Sequence, residues 1–149
     1  MQEENILNLV EVTDHKEIYE NNEIVKLMFN CMVRPTIGRI QSVAQSTYSK
    51  QQGKFYKAME DDKIVGIIGL KRINNDRLDI LHISVDEHMR NKSIGKNMIK
   101  EAGTYDKVDE IRAETTHNMV DFYKKCGFRT KLVENELGLD EYICTLKLR

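Results

Sequence analysis

Cysteine, charge imbalance and long apolar runs are what this chain has little of. Its three cysteines, Cys31, Cys126 and Cys144, stand far apart and form no C-x-x-C pair. They read as reduced thiols of a cytoplasmic protein, and no metal site, zinc included, is expected. The formal net charge is −1, which gives no strong general attraction to nucleic acid or to an anionic membrane, so neither is expected as a partner. The longest apolar run, Ile64 to Leu70, is far too short to span a bilayer. The opening Met1-Gln2-Glu3-Glu4 lacks the basic start and apolar segment of a secretion signal. There is no internal repeat, low-complexity tract or linker. With 149 residues, 32% charged and 40% hydrophobic, the chain is expected to form one globular domain over 1–149 with a single sizeable core.

What is present is organised around His82 to Lys96. Leu78 to Val85, rich in Leu and Ile, reads as a strand. From Ile94 to Ala102 the spacing turns helical, with Ile94, Met98, Ile99 and Ala102 on one stripe. A polar turn lies between them. The first N–H groups of a helix have no internal partners and the helix dipole favours an anion there. Arg90, Lys92 and Lys96 add positive charge at the same point. A Walker loop would need a Gly-Lys-Ser/Thr ending and a Rossmann fingerprint three spaced glycines; neither occurs, since Gly95 is the one glycine here.

Taken in order, Ile6 to Val12 reads as a first strand, with Ile6, Asn8, Val10 and Val12 set against Leu7, Leu9 and Glu11. Thr13 or Asp14 is expected to cap a helix, with Glu17 completing a capping box. That helix is carried by Ile18, Ile24, Val25, Leu27, Met28 and Cys31, with an interruption at Asn21-Asn22 and an end at Arg34-Pro35. A second helix follows from about Thr36, with Ile37, Ile40, Val43, Ala44 and Tyr48 on a stripe and Gly53 as its expected C-cap. Lys54 to Glu60, Lys63 to Ile73 and Arg77 to Val85 read as strands joined by the tight turns Asp61-Asp62 and Asn74-Asn75-Asp76. After the central helix, ending near Gly103, come a strand at Glu110 to Thr115, a helix at Met119 to Cys126, a strand at Gly127 to Val133, a turn at Gly138, and a strand at Asp140 to Leu148. The order β-α-α-β-β-β-α-β-α-β-β predicts an α/β or α+β fold. One strand–helix–strand unit is its only obvious parallel crossover.

Two segments carry a family resemblance. Arg90-Asn91-Lys92-Ser93-Ile94-Gly95, with Val85 ending the strand before it, resembles the Arg/Gln-x-x-Gly-x-Gly/Ala signature of the GCN5-related N-acetyltransferases (GNAT). Asn118 to Phe128 resembles that family's second signature, with Tyr123 and Gly127-Phe128 in register. Ser93 replaces the first motif glycine, which lets backbone approach a pyrophosphate closely; altered rather than abolished binding is expected. The resemblance implies a mixed, largely antiparallel central sheet of about six or seven strands flanked by helices. It also implies acetyl-CoA as co-substrate and direct acetyl transfer to an amine. The pyrophosphate would be held by Arg90, Asn91, Lys92, Ser93, Ile94, Gly95 and Lys96. The pantetheine arm would pair with main-chain groups of Ile83, Ser84 and Val85, one of whose N–H groups would serve the oxyanion, a contribution of about 3 kcal/mol.

By the same resemblance Tyr123 would protonate the leaving thiolate, and Asn118 would bind the pantetheine arm or order a water. The plainer reading of Tyr123 is an amphipathic core residue beside Phe122. The amine must lose a proton before attack, and the group that takes it stays open among Asp79, His82, Glu114 and a water chain. Asp79 and His82 are expected on opposite faces of their strand. His88 and His117 read as surface histidines, Lys124-Lys125 as an exposed helix flank, and Glu17, Glu20 and Glu23 as a polar face. A module that keeps the CoA cleft but has little or no turnover is the alternative function; an unrelated nucleotide-binding domain, binding ATP instead, is a third. The acceptor stays open among a small amine, a peptide N-terminus and a protein lysine. A homodimer through an edge strand such as Asp140 to Leu148 is also left open.

Overall fold

The computed structural model describes residues 7–90 and 93–148. Its strands are β1 (Asn8–Glu11), β2 (Gly53–Glu60), β3 (Lys63–Asn74), β4 (Arg77–Val85), β5 (Glu110–Thr115), β6 (Arg129–Glu134) and β7 (Asp140–Lys147). They form one seven-stranded sheet in the order β1-β2-β3-β4-β5-β7-β6. Every neighbouring pair is antiparallel except β4 and β5, which are parallel. Helices α1 (Glu17–Glu20), α2 (Asn22–Cys31) and α3 (Ile37–Val43) precede β2; α4 (Ile94–Tyr105) makes the β4-to-β5 crossover, and α5 (His117–Lys125) leads into β6. This is the expected mixed, largely antiparallel sheet with flanking helices. No helix among the described residues is long and apolar enough to cross a membrane.

The sheet buries a core on each face. On one side Leu9, Ile68, Leu78, Ile80, Ile83 and Ile111 pack with α4 (Met98, Ile99, Ala102) and α5 (Val120, Tyr123). On the other, Phe55, Ile64 and Ile67 pack with Ile18, Ile24, Met28, Ile40 and Tyr48 of the first helices. The α4 stripe is the one its spacing predicts. Asp61 and Asp62, both at positive φ (49° and 65°), make the two-residue turn whose left-handed backbone suits a twisted hairpin.

Several expectations need correction. In β1 Leu9 is buried in one core and Val12, just beyond the strand, in the other, so both faces of the alternation bury a residue; Ile6 lies outside the described residues. Asp14 does not cap a helix: its Oδ1 accepts from the Lys16 N–H at 3.0 Å in a turn, and α1 starts at Glu17 with no side-chain cap. The effective cap is Asn21, where the interruption was expected. Its Oδ1 accepts from the N–H groups of Glu23 and Ile24, which restarts the helix as α2. Gly53 is not a C-cap but the first residue of β2, and it allows a close approach. A Cβ there would lie 2.2 Å from the Thr47 carbonyl oxygen. Finally, β7 is not an edge strand, because it lies between β5 and β6; β6 holds the edge.

Candidate active site

The parallel crossover creates the site. β3 pairs with β4 almost end to end, from Asn74–Arg77 to Gly66–Val85. β5 pairs with β4 only through Arg77, Asp79 and the residue between them, opposite Glu110 to Arg112. Beyond Asp79 the two strands part, and β5 is held from its other side by β7. Along an antiparallel strand alternate residues turn their N–H and C=O groups away from the partner. The stretch from Ile80 to Val85 therefore offers main-chain donors and acceptors to the gap. Ile83 and Ser84 are buried there, at 8% and 7% exposure. The Cys31 thiol on α2 is pushed up to about 11 by burial, while a hydrogen bond to the Ile83 backbone pulls it the other way.

At the end of β4, Asp86 accepts from the His88 N–H at 2.9 Å and starts a single 3-10 turn over Glu87–Met89. Arg90 is exposed, and its Nε donates to the Val85 carbonyl at 3.4 Å. Asn91 and Lys92 lie outside the described residues. Ser93 then takes a left-handed conformation, φ 62° and ψ 20°, and its side chain makes no capping bond. Here is the physical reason a glycine suits the position: a side chain at positive φ is strained by about 1–2 kcal/mol. The first intrahelical bond runs from Asn97 N–H to Ser93 O, so the N–H groups of Ile94, Gly95 and Lys96 are left for an anion. Gly95 itself serves packing, since a Cβ there would come within 2.8 Å of the Phe122 ring of α5.

Tyr123 is 5% exposed, edge-on to Phe122 and Phe128 at centroid distances of 5.1 Å. Burial pushes its hydroxyl well above the usual tyrosine value, with Cys144, Cys126 and Cys31 adding to it. It therefore carries its proton at neutral pH. Asn118 is exposed in the first turn of α5, a helix without a side-chain cap.

The other face of β4 departs from expectation. The β3–β4 ladder shifts register between Gly69 and Leu70, so that Gly69 faces His82 while Leu70 faces Ile80. Leu81 is the extra residue of a bulge. The parity of faces changes across it, and Asp79 (opposite Lys71) and His82 (opposite Gly69) come to the same face, that of the first helices. Asp79 is engaged by Arg77, whose Nε and Nη2 donate to Oδ1 and Oδ2 at 2.8 and 3.1 Å. Glu114 is exposed. The His82 Nδ1 lies 2.5 Å from the Tyr48 Oη, and burial lowers the ring to about 4, so it is neutral at physiological pH. From the sequence Tyr48 reads only as a position on a helix stripe, and Cys31 as a stripe position and a reduced thiol. The structure brings Tyr48 against His82, and the Cys31 thiol adds to the upward push of burial on Tyr48 and on Tyr123.

Elsewhere a hollow of about 470 Å³ is lined by Gln52, Lys54, Arg72 and Tyr105. It lies at the opposite end of β3 from the splay and shares no residue with it. No group of three or more His, Cys, Asp or Glu side chains among the described residues is gathered to hold a metal ion.

With this geometry in view, comparisons with known proteins converge. The sequence profile of the acetyltransferase (GNAT) domain matches residues 51–130, more than half of the chain. The uncharacterized N-acetyltransferase YvbK of Bacillus subtilis (strain 168) is 25% identical over 100 residues, 62% of this chain; the match spans 63% of that relative's own length. Solved structures share the fold. A Bacillus subtilis acetyltransferase in complex with CoA superposes with TM-score 0.69 at 20% identity, covering 97% of this chain and 100% of that one. A dodecameric spermidine N-acetyltransferase from Vibrio cholerae superposes with TM-score 0.69 at 15% identity, covering 95% and 93%.

Proposed function

This chain belongs to the acetyltransferase (GNAT) family, and from that premise we propose that it transfers an acetyl group from acetyl-CoA directly to an amine. The observation that carries the reading is the parting of β4 from β5 beyond Asp79. An amide-bearing arm needs a strand edge to pair with, and Ile83 to Val85 offer one inside the sheet. The diphosphate needs donors without competing partners, and the start of α4 has three such N–H groups with the basic Arg90 and Lys96 nearby. The fit is that of an extended, amide-rich anionic thioester lying along the gap.

Within that frame the chain's own residues have distinct tasks. A main-chain N–H of the Ile83 to Val85 stretch faces the charge that grows on the thioester oxygen, a contribution of about 3 kcal/mol. Tyr123 keeps its proton because it is buried, and gives it to the departing thiolate. Asn118 stands at the start of the same helix, where it contacts the arm or a water. Asp79 is tied to Arg77 and Glu114 is exposed, so neither is committed to the amine by its contacts. The acceptor is a small amine or a peptide or protein amine, approaching from the α1–α2 side, where Glu17, Glu20 and Glu23 lie. Spermidine, the acceptor named for the Vibrio cholerae neighbour, is a natural first member of a screen.

The deciding experiment is a thermal-shift titration with acetyl-CoA, CoA and ATP side by side. Saturation at about 100 times the dissociation constant stabilises the native state by about 2.7 kcal/mol. Shifts with both CoA species and none with ATP are expected. Acetyl-CoA without effect would overturn the reading. Binding without turnover across an amine screen would favour the alternative, a CoA-binding module, for which the strained Ser93 at the head of α4 is the supporting observation.

A further inference from the structure

We propose that Tyr48 is a positioning residue that fixes His82 with its ring proton on Nε2, making His82 a neutral hydrogen-bond donor to the acyl oxygen and not the base. The second half of this inference rests on the acetyltransferase reading above. Three departures from regular structure meet at one hydrogen bond. The helix that starts as α3 ends in a π turn, Ala44–Tyr48, which carries Tyr48 over the sheet. The bulge at Leu81 turns His82 toward it. Directly opposite His82 stands Gly69, and a Cβ there would fall 2.0 Å from the Tyr48 Oη. A π turn, a β-bulge and a strand glycine each weaken the element that holds them, and such irregularities recur at functional sites. Here all three are needed to bring Tyr48 Oη to 2.5 Å from His82 Nδ1.

The direction of that bond follows from an inventory of protons. A phenol has one hydrogen to donate. Among the described residues Nδ1 is the hydrogen-bond partner the structure gives Tyr48 Oη, and a buried hydroxyl that donates to nothing is costly. Burial, and after it the nearby Cys31 thiol, hold the phenol proton in place well above the usual range. Burial likewise keeps the imidazole uncharged. A neutral ring that accepts at Nδ1 carries its hydrogen on Nε2. No protein group among the described residues accepts from that Nε2–H, and the ring is only half-buried, so the donor is open to a bound molecule. His82 precedes Ile83, where the acyl group is read to lie, and both stand on the part of β4 from which β5 has parted. The oxygen within this ring's reach is the thioester carbonyl. With Nδ1 occupied by Tyr48 and Nε2 already protonated, His82 has no lone pair to offer the amine.

The test is a long-range proton–nitrogen correlation spectrum of the full chain labelled at histidine nitrogens, with His82 assigned by His82→Gln. Wild type is expected to show His82 protonated on Nε2 and bare on Nδ1. Tyr48→Phe, checked for folding by its amide spectrum, is expected to shift the ring toward the Nδ1–H form. Acetyl-CoA should move the Nε2–H resonance, and CoA, which lacks the acyl oxygen, should not. A wild-type proton on Nδ1, or a Tyr48→Phe spectrum with the wild-type tautomer, would overturn the positioning role. If acetyl-CoA gives a thermal shift yet leaves the His82 resonance in place, the donor role is overturned. If acetyl-CoA gives no thermal shift at all, the acetyltransferase reading has failed and the donor role with it, while the tautomer is judged by the spectrum alone.

Discussion

The two faces of the sheet around β4 are built in different ways. On the α4 and α5 face, the side-chain features come from two helices that follow one another in the chain: Ser93 heads α4, Gly95 seats against Phe122 of α5, and Tyr123 follows Phe122. On the α1 to α3 face, the site is assembled from residues far apart in sequence. Cys31 comes from α2, Tyr48 from the π turn, Gly69 from β3 and His82 from β4. The first face suits a co-substrate of fixed shape, recognised through backbone. The second, from which the acceptor is proposed to approach, is held together by single side-chain contacts, so it changes when any one of them changes.

Mutations can break or sharpen this contrast. The largest effect is expected on the first face. Tyr123→Phe should lower turnover by about 100-fold or more, the usual range for a general acid, while acetyl-CoA affinity by calorimetry stays close to wild type. Equal turnover in both proteins would remove Tyr123 from the chemistry.

The next effect belongs to the second face and to pH. Burial lowers His82 from 6.5 to about 4, so below about pH 6.5 the unfolded chain takes up a proton that the folded one refuses. Stability present above 6.5 is lost as pH falls toward 4, by up to roughly 3 kcal/mol. Urea unfolding at both ends of that window should show this loss in wild type and its reduction in His82→Gln. An identical pH dependence in the two proteins would mean that the ring is not buried as described.

Gly69→Ala tests the same contact sterically. The new methyl displaces the Tyr48 ring, and a cost of about 1–3 kcal/mol is expected, as for other overpacked sites, with the His82 spectrum disturbed. A neutral result by denaturant unfolding would show that the ring has room to spare. The smallest effect returns to the first face. Ser93→Gly relieves the left-handed residue at the start of α4; set against the greater freedom of glycine in the unfolded chain, a gain of about 0.5–1 kcal/mol remains. Tighter CoA binding should accompany it. A loss of stability would mean that the Ser93 side chain makes a contact worth more than its strain.

The same contrast explains what was legible in the sequence. Helical spacing from Ile94 to Ala102, the tyrosine helix and the turns Asp61-Asp62 and Gly127-Phe128 are local patterns, and local patterns survive in one dimension. The order of elements along the chain and the parallel crossover followed from them, whereas the place of β7 inside the sheet did not. The Tyr48–His82 pair spans 34 positions, and no spacing rule joins those residues. The bulge did leave a trace that simple alternation overlooked. Apolar residues of β4 that meet this core fall at even positions through Leu78 and Ile80, then at odd ones through Ile83 and the partly buried Val85. That switch of parity at Leu81 is what placed Asp79 and His82 on one face. The Asp14 capping box failed for a related reason: the motif was present, but Asn21 offered its oxygen to two N–H groups, and the chain restarted its helix there.

The π turn at Ala44–Tyr48 holds one residue more than an α-helix would need between Thr36 and Gly53. Removing one residue between Ala44 and Thr47 would let the segment relax into an unbroken α-helix, a more regular element than the one it has. Four α-helical residues turn by about 400°, close to what the five residues of the wider turn sweep, so the deletion would leave Tyr48 on the side of the imidazole. The extra residue marks a place where the chain can lose length and keep the contact.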